Sequence, residues 1–371
     1  MTLELVIACG FSGNVENILL PDVPHDVIPA GVEHNKVPGC IISPSPEGSE
    51  TRYEVTLPRG DKLQIGPCVP HTRYAGSSIN IGAMAKTLGH RVHCWITLDT
   101  DPHGRGMFRS LDTRGIRVNC IPCGSTPLTL GIRGGGATTL LMQKPAPPQF
   151  ILPEQAIHQI ATGITLCQPN IFFATSIGEV ELSCVQTAFE RLEQTFCVFC
   201  PRISILGKEH HEKGLLKAMA SADAVFMNRR EYRHLTDGEF ASDKAFSSQK
   251  HIVYAVKMLA PYITDARQRL FVVTCDTDGA SAVAHRNGNT EGIHDVQAIP
   301  ITPVVDTTGA GDAFALGMTI ALCRGISWQT AMEWGTKLAA ENVKGPGGWF
   351  AADTKNNPLV ITPAFFDPPT T

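Results

Sequence analysis

The chain carries a glycine-rich turn at residues 304–317, which read VVDTTGAGDAFALG. Gly309 and Gly311 can adopt backbone conformations that a Cβ makes costly, so successive N–H groups can converge on one point. The residues from Ala313 onward have the pattern of a helix, whose positive end would face that point. The turn therefore predicts an anion hole for a phosphoryl group. Asp312 is either a residue that stabilises the helix start or a base that accepts the proton of an attacking hydroxyl.

The elements that must position this turn are predicted from hydrophobic patterns, since short apolar runs alternate with helical periodicity after residue 75. Strands are predicted at Leu3–Cys9, Val92–Leu98, Ile171–Thr175, Phe196–Cys200, Ala224–Met227, Phe271–Cys275 and Ser281–His285. Helices are predicted at Ile79–Leu88, Gly106–Arg114, Glu179–Glu193, Glu212–Ala220, Ile252–Tyr262, Ala310–Cys323 and Trp328–Val343. This alternation predicts an α/β fold, a mostly parallel sheet flanked by helices on both faces. Ligands bind such sheets beyond the carboxyl ends of the strands.

Two segments break the alternation. Residues 21–74 are rich in Pro, Gly and Ser, and residues 118–142 hold short alternating runs. We expect both to form a small β-rich lid inserted in a single domain that spans residues 1–371. Gly134–Gly136 predicts either a hairpin turn in that lid or a flexible surface loop.

The composition of the chain limits its possible binding partners and its cellular compartment. The 371 residues are 43% hydrophobic and carry a net charge of -4 without a Lys/Arg-rich block, which disfavours a nucleic-acid partner. No apolar run is long enough to span a membrane, and the first residues predict a strand rather than a signal peptide. The 12 cysteines include the pairs Cys120/Cys123 and Cys197/Cys200, which indicate either a metal or redox site or, as we prefer, thiols in strands. We therefore expect a cytoplasmic protein.

The glycine-rich turn closely resembles the C-terminal signature of the ribokinase-like, or PfkB, carbohydrate kinases. Four further segments resemble family motifs in the family's order. They are GSSINIGAMAKTLG at Gly76–Gly89, DPHG at Asp101–Gly104, NRRE at Asn228–Glu231 and VVTCDTDGA at Val272–Ala280. The resemblance covers about residues 3–350 and depends on this ordered spacing. A P-loop sequence is absent, which agrees with a kinase that binds phosphate by another device.

The resemblance implies an ATP- and Mg²⁺-dependent kinase with a ribokinase-like fold. It makes Asp312 the catalytic base and places Gly309, Ala310 and Gly311 in the anion hole. The implied substrate-binding residues are Asn14, Glu16, Gly76, Asn80 and Asp101. Arg133 in the substrate site and Arg202 in the nucleotide site are, by their charge, either groups that neutralise phosphate or surface arginines. The implied nucleotide-binding residues are Arg202, Asn228, Thr274, Asp276, Gly279, Thr308, Gly309, Gly311 and Asn342. Asn228 and Glu231 would hold Mg²⁺ through water, and Asp101 is alternatively an ordinary turn residue.

The chain departs from the family pattern at four places, the first of which is the segment of residues 21–74, longer than a compact lid segment. Near the usual substrate-binding aspartate stand Glu16 and Asn17, so a longer acid or an amide would meet the substrate hydroxyls. Asp276 replaces the first glycine of the nucleotide loop, where a carboxylate would repel phosphates unless it points away or meets the metal. Val198 stands where the family often has an acidic residue, so only Arg202 of that pair is kept.

Three functions are compatible with these motifs. The first is a kinase of a small sugar or sugar derivative, and the second is a nucleoside kinase of the same family. The third is a non-catalytic nucleotide- or sugar-binding homologue, which the intact Asp312 and Asn228–Glu231 disfavour. ATP or ADP as donor, monovalent-ion activation and the identity of the acceptor stay open, and a homodimer through the lid is a further expectation.

Overall fold

The computed structural model describes residues 4–10, 14–19, 36–47, 50–58, 60–68, 70–121, 126, 128–134, 137–143, 154–175, 179–201, 209–240, 248–345 and 348. The strands are β1 Val6–Gly10, β2 Asn14–Leu19, β3 Lys36–Glu47, β4 Glu50–Thr56, β5 Lys62–Cys68, β6 Pro70–Ala75, β7 Arg91–Thr97, β8 Arg117–Ile121, β9 Leu128–Gly134, β10 Ala137–Gln143, β11 Ile171–Thr175, β12 Phe196–Cys200, β13 Ala224–Asn228, β14 Arg269–Thr274, β15 Ala280–Arg286, β16 Asn289–Thr290 and β17 His294–Val296. The helices are α1 Ser77–Thr87, α2 Pro102–Thr113, α3 Glu154–Leu166, α4 Glu179–Arg191, α5 Glu209–Ser221, α6 Arg229–Phe240, α7 Ser248–Leu259, α8 Ala310–Cys323 and α9 Trp328–Asn342.

The central sheet places the strands in the order β16-β15-β14-β13-β12-β11-β1-β7-β8, and β17 pairs with β15. The pairs from β8 to β14 are parallel, whereas β15 pairs antiparallel with its neighbours. The chain leaves β1 toward β7 and β8, then continues on the other side of β1 from β11. The sheet therefore has its topological switch point at β1 and β11, where a ligand is expected.

Both faces of the central sheet are buried. Alternate residues of one strand contribute to different hydrophobic clusters: Phe173 packs in the cluster with α1, α8 and α9, and Phe172 packs in the cluster with α4, α5 and α7. Because successive side chains of a strand point to opposite faces, helices cover the sheet on both sides. The predicted α/β architecture is confirmed.

Sequence reasoning missed two helices and misplaced one strand. The helices α3 and α6 were not among the predicted elements. Val118–Ile121 lie in β8, which pairs parallel with β7, so the first residues of the segment 118–142 belong to the central sheet and not to the lid. The short alternating pattern of β8 is compatible with either sheet, and only its pairing with β7 decides between them.

The remaining strands form a second sheet in the order β5-β4-β3-β10-β9-β2-β6. The pairs β3–β10 and β2–β9 are parallel, and the others are antiparallel. Gly134 pairs with Ala137 across β9 and β10, which confirms the predicted hairpin. One residue separates β5 from β6 on opposite edges, so the sheet must coil until those edges lie within about 8 Å. Tyr53, Val55 and Ile65 are buried on its inner side.

Two further findings concern the helices and the cysteines of the described residues. In the described part of the chain, no helix combines the length and the apolar character needed to cross a membrane. The cysteines whose side chains the structure describes are free thiols, and Cys9, Cys94, Cys197 and Cys275 are buried in or beside strands.

Candidate active site

The glycine-rich turn begins α8 without a side-chain cap. Gly309 is the N-cap residue, with φ of 77° and ψ of 3°, and makes no side-chain cap bond. The amide of Ala310 donates to the carbonyl oxygen of Thr307 at 3.2 Å. A Cβ on Gly309 would lie 2.5 Å from the Cα of Gly348, so both the left-handed backbone and the close approach require glycine. A Cβ on Gly311 would meet open space, so an anion has room to approach there. The start of α8 is therefore suited to an anion at Gly311 and Asp312, and its role toward a phosphoryl group stays a prediction.

Asp312 and Asn80 meet at this helix start, although 232 residues separate them in the sequence. The amide Nδ2 of Asn80 donates to Oδ2 of Asp312 at 2.8 Å, and α1 packs against α8. Gly76, with φ of 114°, is the N-cap residue of α1. Oδ1 of Asn80 is buried and accepts no hydrogen bond from the described residues. An orphaned acceptor beside a carboxylate is suited to a hydroxyl donor.

The start of α1 is anchored at the switch point. Oγ of Ser78 donates to the carbonyl oxygen of Gly10 at 2.6 Å and lies 2.7 Å from Oγ1 of Thr175. Gly10 ends β1 and Thr175 ends β11, so these buried bonds join both strands to α1. They bring the predicted substrate-binding residues Gly76 and Asn80 to the place where the sheet topology predicts a ligand.

The end of α9 supports the glycine-rich turn through hydrogen bonds. Nδ2 of Asn342 donates to the carbonyl oxygen of Thr308 at 2.8 Å, and the carbonyl oxygen of Val343 accepts from the amide of Val305 at 2.9 Å. Asn342 is 0% exposed. The packing of α9 against α8 thus buries this side chain against the turn, and the predicted contact of Asn342 with the nucleotide stays a prediction.

Asn228 and Glu231 form a reciprocal capping box. Oδ1 of Asn228 accepts from the amide of Glu231 at 2.9 Å, and Oε2 of Glu231 accepts from the amide of Asn228 at 2.8 Å. The motif thus starts α6 directly after β13. Its role toward Mg²⁺ stays a prediction, and the capping box fixes where its oxygens lie.

Cys200 lies within the electrostatic influence of both Asp312 and Glu231 and was not among the predicted site residues. It is the last residue of β12. Burial raises the pKa of its thiol, and the negative charges of Asp312 and Glu231 raise it further. Both carboxylates therefore act on the same point at the carboxyl edge of the sheet. Gly348 was also missed, and a Cβ there would lie 2.5 Å from Cγ of Asn80. The run of glycines near it was the only sequence signal.

The predicted nucleotide loop is a tight turn after β14. Thr274 ends β14 and pairs in register with Asn228 on β13. Asp276 has a positive φ of 53°, and Gly279 has φ of 87°. A Cβ on Gly279 would lie 1.9 Å from the carbonyl oxygen of Val296, so this position requires glycine. The pairing of β13 with β14 sets the loop beside the start of α6.

For the predicted site residues on the second sheet, the structure gives the position of the backbone. Asn14 and Glu16 lie on β2, where Glu16 pairs in register with Arg73 of β6 and Thr129 of β9. Arg133 lies on β9 next to the hairpin. Their side chains and all of Arg202 lie outside the described residues. The substrate or phosphate contacts of these four residues stay predictions.

Asp101 caps a helix and ties down a loop. Oδ1 accepts from the amide of Gly104, and Oδ2 accepts from the amide of Thr126, both at 2.7 Å. Burial alone would raise the pKa of Asp101, but these backbone hydrogen bonds outweigh it and lower the pKa from its ordinary value. The contacts of Asp101 are therefore those expected of an ordinary turn residue. Substrate binding by Asp101 stays a prediction.

Replacing Asp101 by Ala should lower the free energy of unfolding by about 1–2 kcal/mol at pH 7, because the cap of α2 is lost. The lowered pKa makes this contribution complete above the ordinary value of 3.8 and removes it as the pH falls through the folded-state pKa. Urea unfolding at pH 7 and pH 3 measures both effects. Asp112→Ala is the matched control, since Asp112 is exposed on the same helix. The capping role would be contradicted if both variants lost the same unfolding free energy. It would also be contradicted if the difference in unfolding free energy between Asp101→Ala and the wild-type protein were larger at pH 3 than at pH 7.

Comparison with known proteins agrees with this arrangement. The model described as pfkB family carbohydrate kinase matches residues 67–355. The structure of an adenosine kinase from Sinorhizobium meliloti is similar with a TM-score of 0.62 at 17% identity, over 94% of this chain and 96% of that chain. Arabidopsis thaliana ribokinase complexed with ribose and ATP is similar with a TM-score of 0.59 at 16% identity, over 93% and 94%. These likenesses show the ribokinase-like fold.

A curated relative matches over a shorter stretch. The 2-dehydro-3-deoxygluconokinase of Bacillus subtilis (strain 168) is 33% identical over 69 residues, which is 19% of this chain and 21% of that protein. Since the match spans about a fifth of that relative, its activity and substrate can be transferred only as proposals.

Proposed function

The chain belongs to the pfkB family of carbohydrate kinases and is a phosphotransferase; from this premise we propose that it transfers the γ-phosphoryl group of ATP to a hydroxyl of a small sugar or sugar derivative. The hydrogen bond of 2.8 Å between Asn80 and Asp312 carries this proposal. It joins the motif at α1, the motif at α8 and the uncapped amides of one helix start. A base and an anion hole within one turn are what transfer to a hydroxyl requires.

In the proposed reaction the substrate hydroxyl lies beside Asp312, and the amide of Asn80 orients the carboxylate. Asp312 accepts the hydroxyl proton while the hydroxyl oxygen attacks the phosphorus in line with the leaving oxygen. The amides from Gly309 to Asp312 stabilise the negative charge on the transferred group. The orphaned Oδ1 of Asn80 is the acceptor for a second substrate hydroxyl. The second sheet is the proposed lid, which would exclude competing water.

The residues at the start of α6 fit Mg²⁺. That ion prefers oxygen ligands and keeps several of its waters, so one carboxylate held at a fixed position is sufficient beside the phosphates. The capping box holds the carboxylate of Glu231 and the amide oxygen of Asn228 in this way. Bound there through water, the ion would neutralise charge on the phosphates of the donor.

An apolar ledge precedes the anion-binding turn. Among the described residues, Ile299, Val304 and Val305 belong to the few large hydrophobic side chains that are exposed. An exposed apolar surface beside a phosphate site is suited to the base of a nucleotide. The base would lie between this ledge and the end of α9, where Ala339 is partly exposed.

The acceptor is tested by a panel in which ADP release is measured with ATP and magnesium. Sugar acids come first, because the curated relative is a 2-dehydro-3-deoxygluconokinase; neutral sugars, sugar phosphates and nucleosides follow. We expect one class of sugar to give ADP and an equal amount of phosphorylated product. Turnover with nucleosides alone would show that the acceptor is a nucleoside and not a sugar. Binding of ATP without transfer to any acceptor would favour a non-catalytic binding protein. A cytosolic location and a homodimer through the second sheet belong to this proposal as predictions.

With the acceptor identified, Asn80→Ala should raise its KM by about tenfold or more, because a buried hydrogen bond to a ligand is lost. Steady-state kinetics with each substrate varied in turn measures this, and the KM for ATP should change little. Asn289→Ala on the exposed hairpin of β16 is the control. An unchanged KM for the acceptor would remove Asn80 from the substrate site.

A further inference from the structure

An ion pair joins two segments that the proposed function assigns to the phosphates. Arg229 is the first residue of α6 and follows Asn228 directly. Its Nη2 donates to the carbonyl oxygen of Cys275 at 2.7 Å and to the carboxylate of Asp278. Cys275 and Asp278 both belong to the nucleotide loop, residues 275–279. One guanidinium therefore bonds the loop at two points, 46 and 49 residues away in the sequence.

The nucleotide loop has a conformation that needs support. The amide of Cys275 donates to the carbonyl oxygen of Gly279 at 2.7 Å, which closes a turn around Asp276. The positive φ of Asp276, 53°, costs about 1 kcal/mol in a residue with a Cβ. Without contacts from outside, the loop would relax toward a conformation that Asp276 prefers. The bonds from Arg229 to both ends of the turn oppose this relaxation.

The loop also carries charge of the wrong sign for its proposed ligand. Asp276 and Asp278 are both exposed within three residues of each other. Each would repel the phosphates of a nucleotide. Arg229 neutralises Asp278, and the hydrogen bond that Arg229 donates to Asp278 is the largest cause of the raised pKa of Arg229. The guanidinium thus holds one carboxylate of the loop against α6.

We propose that Arg229 is a positioning residue that locks the nucleotide loop to the start of α6 and so sets the distance between the loop and the Asn228–Glu231 pair. The role rests on the proposed function, because only that function assigns the loop to a nucleotide. Arg229 acts through Asp278 and the carbonyl of Cys275, without contact to the reacting atoms. Neither the turn pattern of the loop nor the N-x-x-E motif requires a basic residue at this place.

A double-mutant cycle tests the lock. Arg229→Ala should raise the KM for ATP about fivefold in the wild-type background, the scale of one favourable ion pair, and leave the KM of the acceptor unchanged. In the Asp278→Ala background the same substitution should raise the KM for ATP less than twofold, because its partner is already gone. Arg229→Lys should restore part of the affinity, since an ammonium keeps the charge without the planar fork. Titration calorimetry with ATP checks each KM as a binding constant.

The control is Arg286→Ala, which removes the same charge from an exposed position at the far end of β15. An equal effect of Arg229→Ala in both backgrounds would overturn the lock and indicate direct contact with the phosphates. A rise in the KM values of both substrates would also overturn it and indicate general disorder of the site. A wild-type protein that neither binds ATP nor turns over would overturn the proposed function and this role together, so the two failures are distinguishable.

Discussion

Replacing Asp312 by Asn should lower kcat by a factor on the order of 10²–10⁴ once the acceptor is known, because an amide cannot accept the hydroxyl proton. The substitution keeps the size of the side chain, and its amide oxygen can still accept the hydrogen bond from Asn80. The KM values for ATP and the acceptor should therefore stay within about threefold. Steady-state kinetics over both substrates measures the split between kcat and KM.

Asp112→Asn is the matched control, because it removes one carboxylate from an exposed position on α2. Its kcat should equal that of the wild-type protein. Thermal unfolding of Asp312→Asn should show a transition close to that of the wild-type chain. Intact turnover in this variant on a verified substrate would show that Asp312 is not the base and would remove the basis of the proposed mechanism.

Replacing Arg269 by Met should lower the unfolding free energy by about 1.5–3 kcal/mol, because the hydrogen bonds of a buried cation are lost while Arg267 still pairs with Asp223 and Asp265. Arg269 is 2% exposed. Its Nη2 donates to both carboxylate oxygens of Asp265, at 2.9 and 2.8 Å, and its Nε donates to the carbonyl oxygen of Ala220 at 3.0 Å. Asp223 lies 3.6 Å from Nη1 and would keep a largely buried charge. Urea unfolding at neutral pH measures the loss.

The loss of unfolding free energy caused by Arg269→Met should become smaller as the pH falls. Burial raises the pKa of Asp223, and Arg267 and Arg269 are among the groups that oppose this rise. Without Arg269 the pKa of Asp223 rises further, so the carboxyl takes up its proton at a higher pH and the buried charge disappears. Arg286→Met, at an exposed position, is the control and should change the unfolding free energy by less than about 0.5 kcal/mol. If Arg269→Met lowered the unfolding free energy by no more than Arg286→Met, the stabilising role of the ion pairs and hydrogen bonds of Arg269 would be contradicted.

Local sequence determined the pieces of the site. The backbone freedom of Gly309, the helix that follows it and the reciprocal bonds of Asn228 and Glu231 all arise within a few residues. Hydrogen bonds over such short separations depend on residue type and spacing, which the motifs display directly. The same holds for the strands and helices whose apolar period is regular. The helix α6 was missed because few residues of its sequence, RREYRHLTDGEF, are apolar, and among the described residues the stripe that it buries is limited to Tyr232, Leu235 and Thr236.

Tertiary structure decided which pieces meet and which stay apart. The bond between Asn80 and Asp312, the burial of Asn342 and the contact of Arg229 with the nucleotide loop join residues at least 34 positions apart. The membership of β8 in the central sheet and the coiling of the second sheet are also long-range. Such contacts depend on the packing of helices on the sheet and on strand register, and no local pattern encodes either one.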